Sequence, residues 1–232
     1  LLPVEWKDDW PVILEPGREI PYIAPGPAFM SRMAKQAPST GNFTWRDEFD
    51  KPALDRAWMY VRVPKRPWAE LSGHAGQLAI RPEAEALDTL SNPAFLARRQ
   101  QHAAFEASTV LQVPAEAGTE AGLAAFQNET HWYFLGVRRK GQGMELFLEK
   151  SGGEGRRTVA AKAPPGSDSL ELKIAGDGAD YSFGFDAGKG WQWLKQNEDG
   201  TLLSTDVAGG FVGAVVGPHA RIALNEQNGA GK

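Results

Sequence analysis

The amino-acid sequence predicts an all-β fold: a sandwich of two antiparallel sheets, preceded by an extended N-terminal arm. Several segments place apolar residues at every second position, which is the period of a strand with one buried face. Glycine, proline, asparagine and aspartate separate these segments. More than about a dozen such segments follow residue 42. A single open sheet of that many strands would curl or split, so two packed sheets are expected.

Residues 1–42 are predicted to form an extended arm or linker. Prolines rule out a continuous helix or a central strand over this stretch. They stand at positions 3, 11, 16, 21, 25, 27 and 38. We expect Trp6, Trp10 and Tyr22 to lie outside regular strands and to be partly exposed, because large rings on irregular backbone need a core from elsewhere. That core belongs either to another domain or to the chain's own sandwich, and the sequence leaves both open.

Residues 43–232 are predicted to form the sandwich. Its clearest part is a three-strand meander over 169–196, in which apolar and polar residues alternate and Trp191 and Trp193 flank Gln192. Glycine-containing turns separate these three strands. The other predicted strands cover 43–49, 58–63, 77–80, 94–102, 104–113, 120–127, 131–139, 143–150, 156–161 and 209–217.

Composition excludes several classes of function. The formal net charge is −4 and no basic run could follow a phosphate backbone, so nucleic acid is not an expected partner. No segment approaches the ~20 apolar residues of a membrane span, and no signal-peptide pattern follows Leu1. The lack of cysteine excludes disulfides and thiol catalysis, and fits either the cytoplasm or secretion. A first residue that is not Met suggests a piece of a longer protein.

No catalytic motif stands out. Four histidines, at positions 74, 102, 131 and 219, lack the spacing of zinc ligands and are better explained as core or surface residues. No glycine-rich phosphate loop opens a helix. Carboxylates are numerous, but glycosidase pairs come from distant positions, so counting neither identifies nor excludes one. The sequence therefore requires no cofactor.

Two aspartates after the first predicted strand are the candidate metal ligands. Asp47 and Asp50 carry hard oxygen atoms of the kind that bind a structural Ca²⁺. The alternative is a solvated strand end followed by an aspartate turn into Lys51 and Pro52, and this is the favoured interpretation.

A polar run at 98–102 is the most informative candidate contact surface. In a strand, Arg98, Gln100 and His102 share one face. Long polar groups on that face predict contact with sugar hydroxyls, with a partner domain, or only with water. The sequence leaves these three possibilities open.

Three runs occur in a specific order and combination: Phe43–Asp50 followed by Leu54 and Trp58, then Ser91–His102, then Leu203–Gly213. Together they cover roughly residues 43–220, and they resemble the C-terminal, concanavalin A-like domain of family 43 glycoside hydrolases of the β-xylosidase and α-L-arabinofuranosidase type. The segment Trp6–Val12 is similar to the tail that leaves the five-bladed catalytic propeller of these enzymes.

The resemblance implies a concanavalin A-like jelly roll and a propeller before Leu1 that holds the acid and base of an inverting glycosidase. The chain would then be a non-catalytic accessory domain of an enzyme acting on xylan or arabinoxylan oligosaccharides. The polar run at 98–102 and Trp6 and Trp10 are then candidate contacts to the glycan or the propeller.

The family's sandwich also places an aromatic ring beside the substrate pocket, and Phe211 is the matching residue. Its flanking glycines let the backbone approach a neighbour closely, so we expect Phe211 to project on a loop. The alternative is a phenylalanine packed under a glycine turn.

Two departures from the family pattern affect the end of the chain. The sequence stops at Lys232 without a final strand rich in Asp, Phe and Tyr. Pro218 stands where the pattern has a residue that can donate to a sheet, which leaves the pairing of this segment open.

A competing hypothesis is a carbohydrate-binding module for plant cell-wall glycans. Sugar-binding rings must be exposed on a platform, so exposure of Trp68, Trp132 or Trp191 on a concave face would favour it, while buried rings would favour the accessory domain. A third hypothesis, a freestanding hydrolase, needs a carboxylate pair clustered in a pocket.

Overall fold

The structure is a computed structural model, and it describes residues 2–21, 24–26, 41–71, 76–164 and 166–223. The chain divides into two compact units, Leu1–Trp45 and Arg46–Lys232. The boundary predicted from the sequence lies after residue 42. Within the described residues, no helix is long and apolar enough to cross a lipid bilayer.

The first unit contains a two-stranded hairpin formed by β1 (Glu5–Lys7) and β2 (Trp10–Val12). Asp8 and Asp9 connect the two strands with φ angles of 51° and 64°. Two consecutive positive φ values give a turn the twist that paired strands need, and aspartate tolerates this conformation better than most residues.

Trp6 and Trp10 belong to this hairpin, so the prediction that they lie outside regular strands is wrong. The prolines mislead because both strands of a two-stranded ribbon are edge strands, where a residue such as Pro11 is tolerated. The two indole rings are 72% and 74% exposed, in agreement with the predicted exposure. Tyr22 lies outside the described residues.

The second unit is built mainly from antiparallel strands. Its strands within the described residues are β3 (Met59–Tyr60), β4 (Ala69–Glu70), β5 (Ala79–Ile80), β6 (Ala94–Arg99), β7 (Phe105–Gln112), β8 (Thr119–Asn128), β9 (His131–Lys140), β10 (Gly143–Gly152), β11 (Arg156–Lys162), β12 (Ser169–Asp177), β13 (Asp180–Asp186), β14 (Gln192–Asp199) and β15 (Val215–Ile222). A seven-stranded sheet, here called the large sheet, has the order β11-β10-β9-β8-β15-β6-β3, and the four-stranded small sheet has the order β14-β13-β12-β7. The predicted two-sheet antiparallel sandwich is thus confirmed.

The main core lies between the large and the small sheet. Leu172 and Ile174 of β12 and Phe183 of β13 pack there against Tyr133 and Leu135 of β9. The Tyr133 and Phe183 ring centroids are 5.1 Å apart. The alternation read from the sequence is therefore correct, and the predicted three-strand meander is confirmed as β12, β13 and β14.

The large sheet is buried on its other face as well. Phe95, Phe126, Trp132 and Phe134 form a second apolar cluster there with Leu87, which precedes β6. Burial on both faces explains why the middle of β8 and of β9 is apolar without alternation. Trp132 is part of this cluster and Trp68 of a separate apolar cluster, so both are buried and cannot serve as a sugar platform.

Charged residues are also buried on this second face. Arg221 of β15 donates from Nε to Glu120 and from Nη2 to Glu149, each at 2.7 Å. Arg138 donates to the other oxygen of Glu120 at 2.6 Å. His219 lies nearby, and burial lowers its pKa to about 3, so it is a neutral core histidine near pH 7.

The predicted strand at 43–49 is wrong, because the structure shows no strand there. The Asp47 carboxylate accepts a hydrogen bond from the Phe49 amide at 2.9 Å, and Phe49 has a φ of 53°. A side chain that takes up a nearby backbone donor competes with strand pairing.

The predicted strand at 209–217 begins too early, because the structure has a strand only from Val215 onward. A short 3-10 helix (Gly200–Leu203), a four-residue helix α1 (Thr205–Ala208) and a loop precede β15. β15 lies inside the large sheet and pairs with β8 along its whole length, whereas its pairing with β6 skips Gly217 and Pro218. Pro218 has no N–H to donate, and it lies where the pairing of β15 with β6 is already interrupted.

Candidate functional site

The loop between α1 and β15 presents the most exposed aromatic ring of the described residues. Residues 209–213, here called the Phe211 loop, are all exposed, and Phe211 is exposed over its whole side chain. Gly209 and Gly210 have φ angles of 75° and 80°, a region that strongly favours glycine. The prediction that Phe211 projects on a loop is confirmed, and packing of its ring under a glycine turn is ruled out.

Two amide side chains at the end of β8 hold this loop. Gln127 is buried, and its Nε2 donates to the Val212 carbonyl oxygen at 2.5 Å. Asn128 Nδ2 donates to the Ala208 carbonyl oxygen at 2.9 Å. Both ends of the Phe211 loop are thus tied to the sandwich through side chains, while its tip makes no such contact.

Gln127 and Asn128 were not identified from the sequence. The pairing of β8 with β9 shifts register between Phe126 and Asn128, and such a bulge re-aims side chains at the end of a strand. The available signal was a pair of amides that follows four apolar residues, Leu123–Phe126. The loop that they hold lies about 80 residues further along the chain, a distance over which sequence pattern carries no information.

A groove of about 470 Å³ adjoins the base of the Phe211 loop. Ser204 and Ala214, which flank α1 and the loop, form part of its lining together with Gln100, His102 and Tyr181. The Tyr181 hydroxyl donates to Gln100 Oε1, and Gln100 Nε2 donates to the His102 carbonyl oxygen at 3.0 Å. Burial raises the pKa of Tyr181 to about 12, so this phenol stays protonated at neutral pH and acts as a donor.

The predicted strand over 94–102 is shorter in the structure, so Arg98 lies in β6 while Gln100 and His102 lie beyond its end. The Gln100 amide N–H still donates to the Ala214 carbonyl oxygen at 3.0 Å, which continues the register in which Arg99 pairs with Val215. Arg98 remains in the large sheet opposite Val216, and burial lowers the pKa of its guanidinium. Gln100 and His102 instead line the groove.

One of the two candidate metal ligands, Asp47, makes hydrogen bonds within the chain. Both oxygens of Asp47 accept hydrogen bonds within the chain, one from the Phe49 amide and one from Trp58 Nε1 at 2.8 Å. In the described ranges, no group of three or more His, Asp and Glu side chains is placed to hold a metal ion. Asp47 thus has a structural role in the turn before β3, and a structural Ca²⁺ held by Asp47 and Asp50 stays a prediction.

Comparison with known proteins assigns most of the chain to one family model. The model described as "Beta xylosidase C-terminal Concanavalin A-like domain" matches residues 46–230. The chain is 27% identical over 228 residues to the non-reducing end alpha-L-arabinofuranosidase BoGH43B of Bacteroides ovatus, covering 95% of this chain and 40% of that protein. It is 26% identical over 236 residues to a xylosidase/arabinosidase of Butyrivibrio fibrisolvens, covering 95% of this chain and 42% of that protein. The chain thus spans about two fifths of the length of these curated relatives.

Solved structures give the same picture. A GH43_12 protein retrieved from a capybara gut metagenome has a TM-score of 0.78 and 28% identity, over 95% of this chain and 43% of that one. A xylan beta-1,4-xylosidase from Bacillus halodurans has a TM-score of 0.70 and 24% identity, over 94% of this chain and 42% of that one. The second likeness supports the fold alone.

Proposed function

The chain belongs to the family of β-xylosidase C-terminal concanavalin A-like domains, found in family 43 glycoside hydrolases, and on that premise we propose that it is a non-catalytic accessory domain. In this proposal it packs on the catalytic propeller of the same enzyme and completes the rim of a pocket for xylo- or arabino-oligosaccharides. Phe211 supplies one wall of that pocket.

The observation that carries the proposal is the exposed apolar tip of the Phe211 loop. Phe211 is fully exposed, and Val207 and Val212 beside it are each about half exposed. Leaving a phenylalanine ring in water forgoes about 1.5–3 kcal/mol of burial. A loop that keeps such a ring outward, and is tied down by two amide side chains, is suited to meet a surface that the sandwich does not contain.

The groove beside the loop supports a non-catalytic role. Glycoside hydrolysis needs a general acid and a second carboxylate on opposite sides of the scissile bond. Among the described residues that line this groove, none is an aspartate or a glutamate. Glu106, Asp177 and Asp180 line a different groove, on the small sheet, but all three are exposed and Glu106 is ion-paired with Lys173 at 2.9 Å. A carboxylic acid that must stay protonated near neutral pH needs an apolar, sequestered site instead.

The purified 232-residue chain should therefore not hydrolyse aryl β-xylosides or aryl α-L-arabinofuranosides above the rate of buffer. The physical reason is that no acid and base pair faces the groove at the Phe211 loop. Release of the aryl group can be followed by absorbance. A turnover rate that rises in proportion to chain concentration and co-elutes with the chain would contradict the proposal.

Gln127→Met should disturb the pocket rim without removing the phenylalanine. Methionine keeps the volume but loses the amide that donates to Val212, a bond worth about 1 kcal/mol. In the full-length enzyme we expect kcat/KM to fall by about threefold to tenfold at a temperature well below Tm.

Gln196→Met is the matched control, because Gln196 is exposed on β14 and the same chemical change there should leave kcat/KM unchanged. A Gln127→Met enzyme that melts earlier but keeps its kcat/KM would show that Gln127 serves stability alone.

A further inference from the structure

The small sheet has an outer face that turns away from the core. One row of paired residues crosses this face from β7 to β14: Ser108 pairs with Lys173, Lys173 with Gly184, and Gly184 with Trp193. Neighbours of these residues at odd spacing, such as Leu172 and Phe183, point into the core instead. The row therefore lies on the surface of the sandwich.

Trp193 lies across Gly184 in this row. A Cβ atom at Gly184 would be only 2.9 Å from Cε3 and 3.1 Å from Cζ3 of the Trp193 ring. Glycine thus lets the indole rest against the backbone of β13, which any larger residue would prevent. The Trp193 side chain is nevertheless 43% exposed, so the sheet covers it only in part.

A second indole converges on the same place. Trp191 precedes Trp193 by two residues, and it is also 43% exposed. The Lys173 ammonium lies 4.3 Å from the centroid of the Trp191 ring, a cation–π contact that fixes the ring above the sheet. Two partly exposed rings and the Lys173 ammonium thus lie along the outer-face row at Gly184.

A groove of about 540 Å³ begins at Trp193 and runs toward the turn between β12 and β13. Its polar lining comes from Glu106, Asp177, Asp180, Ser182 and Asn197. This volume falls in the range of small-molecule sites, which combine apolar walls with a few placed polar groups. Here the apolar wall is an indole, and the polar groups are mostly hydrogen-bond acceptors.

We propose that Trp191, Trp193 and this groove form a carbohydrate-binding site for pyranose units of a neutral polysaccharide of the xylan type. The C–H face of a pyranose can cover an indole ring, while its hydroxyls donate to carboxylate and amide oxygens along the groove. The choice of xylan rests on the proposed function. The evidence for the site itself is the row of paired residues that includes Gly184 and Trp193. This row lies on the small sheet and does not include the Phe211 loop.

The charge of the groove narrows the classes of ligand that could bind beside the indole rings. Glu106, Asp177 and Asp180 make the groove acidic, and Lys173 offsets only part of that charge. An acidic groove disfavours phosphate and other anionic ligands. A cationic peptide would be attracted instead, but its binding would weaken steeply with salt, whereas binding of an uncharged sugar would not.

The test is native gel electrophoresis of the 232-residue chain in gels with and without soluble arabinoxylan. We expect arabinoxylan to retard the chain, and we expect Trp193→Ala to weaken the apparent affinity by roughly tenfold or more. Val110→Ala is the matched control: Val110 lies on the same sheet, is 71% exposed, and its truncation should leave the retardation unchanged. Raising the salt concentration should have no effect on the retardation.

Three results would overturn the site: no retardation by arabinoxylan, equal retardation of wild type and Trp193→Ala, or retardation that salt abolishes. Melting curves of the same samples show whether each variant is folded. If Trp193→Ala does not fold, Trp191→Ala gives the test in its place and should weaken retardation in the same direction. A negative result in this retardation test would not contradict the accessory role. That role is tested separately, by kcat/KM on short aryl glycosides and by substitutions in the Phe211 loop.

Discussion

Arg221→Met should lower the free energy of unfolding by about 3–5 kcal/mol, the largest stability loss that we expect from changing one charged residue. The Arg221 guanidinium is 2% exposed, and it donates to Glu120 and Glu149 on the buried second face of the large sheet. Its charge also lies 5.0 Å from the ring centroid of Phe134. Removing it leaves Glu149 buried without its ion-pair partner. Urea unfolding at neutral pH measures the loss.

Two further variants separate this cost from the loss of a long side chain. Arg157→Met removes an exposed arginine paired with the exposed Glu154, and it should cost no more than about 1 kcal/mol. Arg221→Met combined with Glu149→Leu removes both charges, and it should recover part of the loss, because the penalty comes from the unpaired buried carboxylate. A single Arg221→Met change as mild as Arg157→Met would contradict the buried ion-pair network.

Local patterns in the sequence predicted the parts of the fold that local chemistry decides. The meander of β12 to β14 was predicted from alternation alone, because each of its strands buries one face. The order of strands in the large sheet could not be predicted in this way. β15 enters between β6 and β8, strands that are far from it in the sequence, and Pro218 gave a signal against such a central position.

Some surface features could likewise be predicted from local sequence, and others could not. The exposure of Phe211 follows from glycines beside it, which are visible in the sequence. The contacts between the amide side chains and the Phe211 loop form only in the folded sheet. The same is true of the pairing that places Trp193 against Gly184. The error at Asp47 has a third origin, since a single side chain captured the backbone donor of Phe49 and ended the predicted strand.

Phe211→Ala should lower kcat/KM of the full-length enzyme by roughly tenfold to a hundredfold. A ring that closes one wall of a sugar pocket excludes water and covers a sugar face, interactions worth about 1–3 kcal/mol. Because Phe211 is fully exposed in the sandwich, its truncation leaves no cavity there. The melting temperature of the isolated chain should therefore stay the same.

Two comparison variants fix the scale of this effect. Leu90→Ala truncates another exposed apolar residue, 83% exposed and distant in sequence from the Phe211 loop, and it should change neither kcat/KM nor Tm. Phe183→Ala removes a phenylalanine from the main core, and it should cost about 3–5 kcal/mol of stability. Phe211→Ala is expected to behave like neither, because it alone should lose activity and keep stability.

The most direct test of the accessory role is the measurement of kcat/KM and Tm together for wild type, Phe211→Ala and Leu90→Ala in the full-length enzyme, on short aryl glycosides. We expect kcat/KM to fall by at least about tenfold in Phe211→Ala only, with Tm unchanged in both variants. An unchanged kcat/KM in a folded Phe211→Ala enzyme would contradict the claim that this domain completes the substrate pocket.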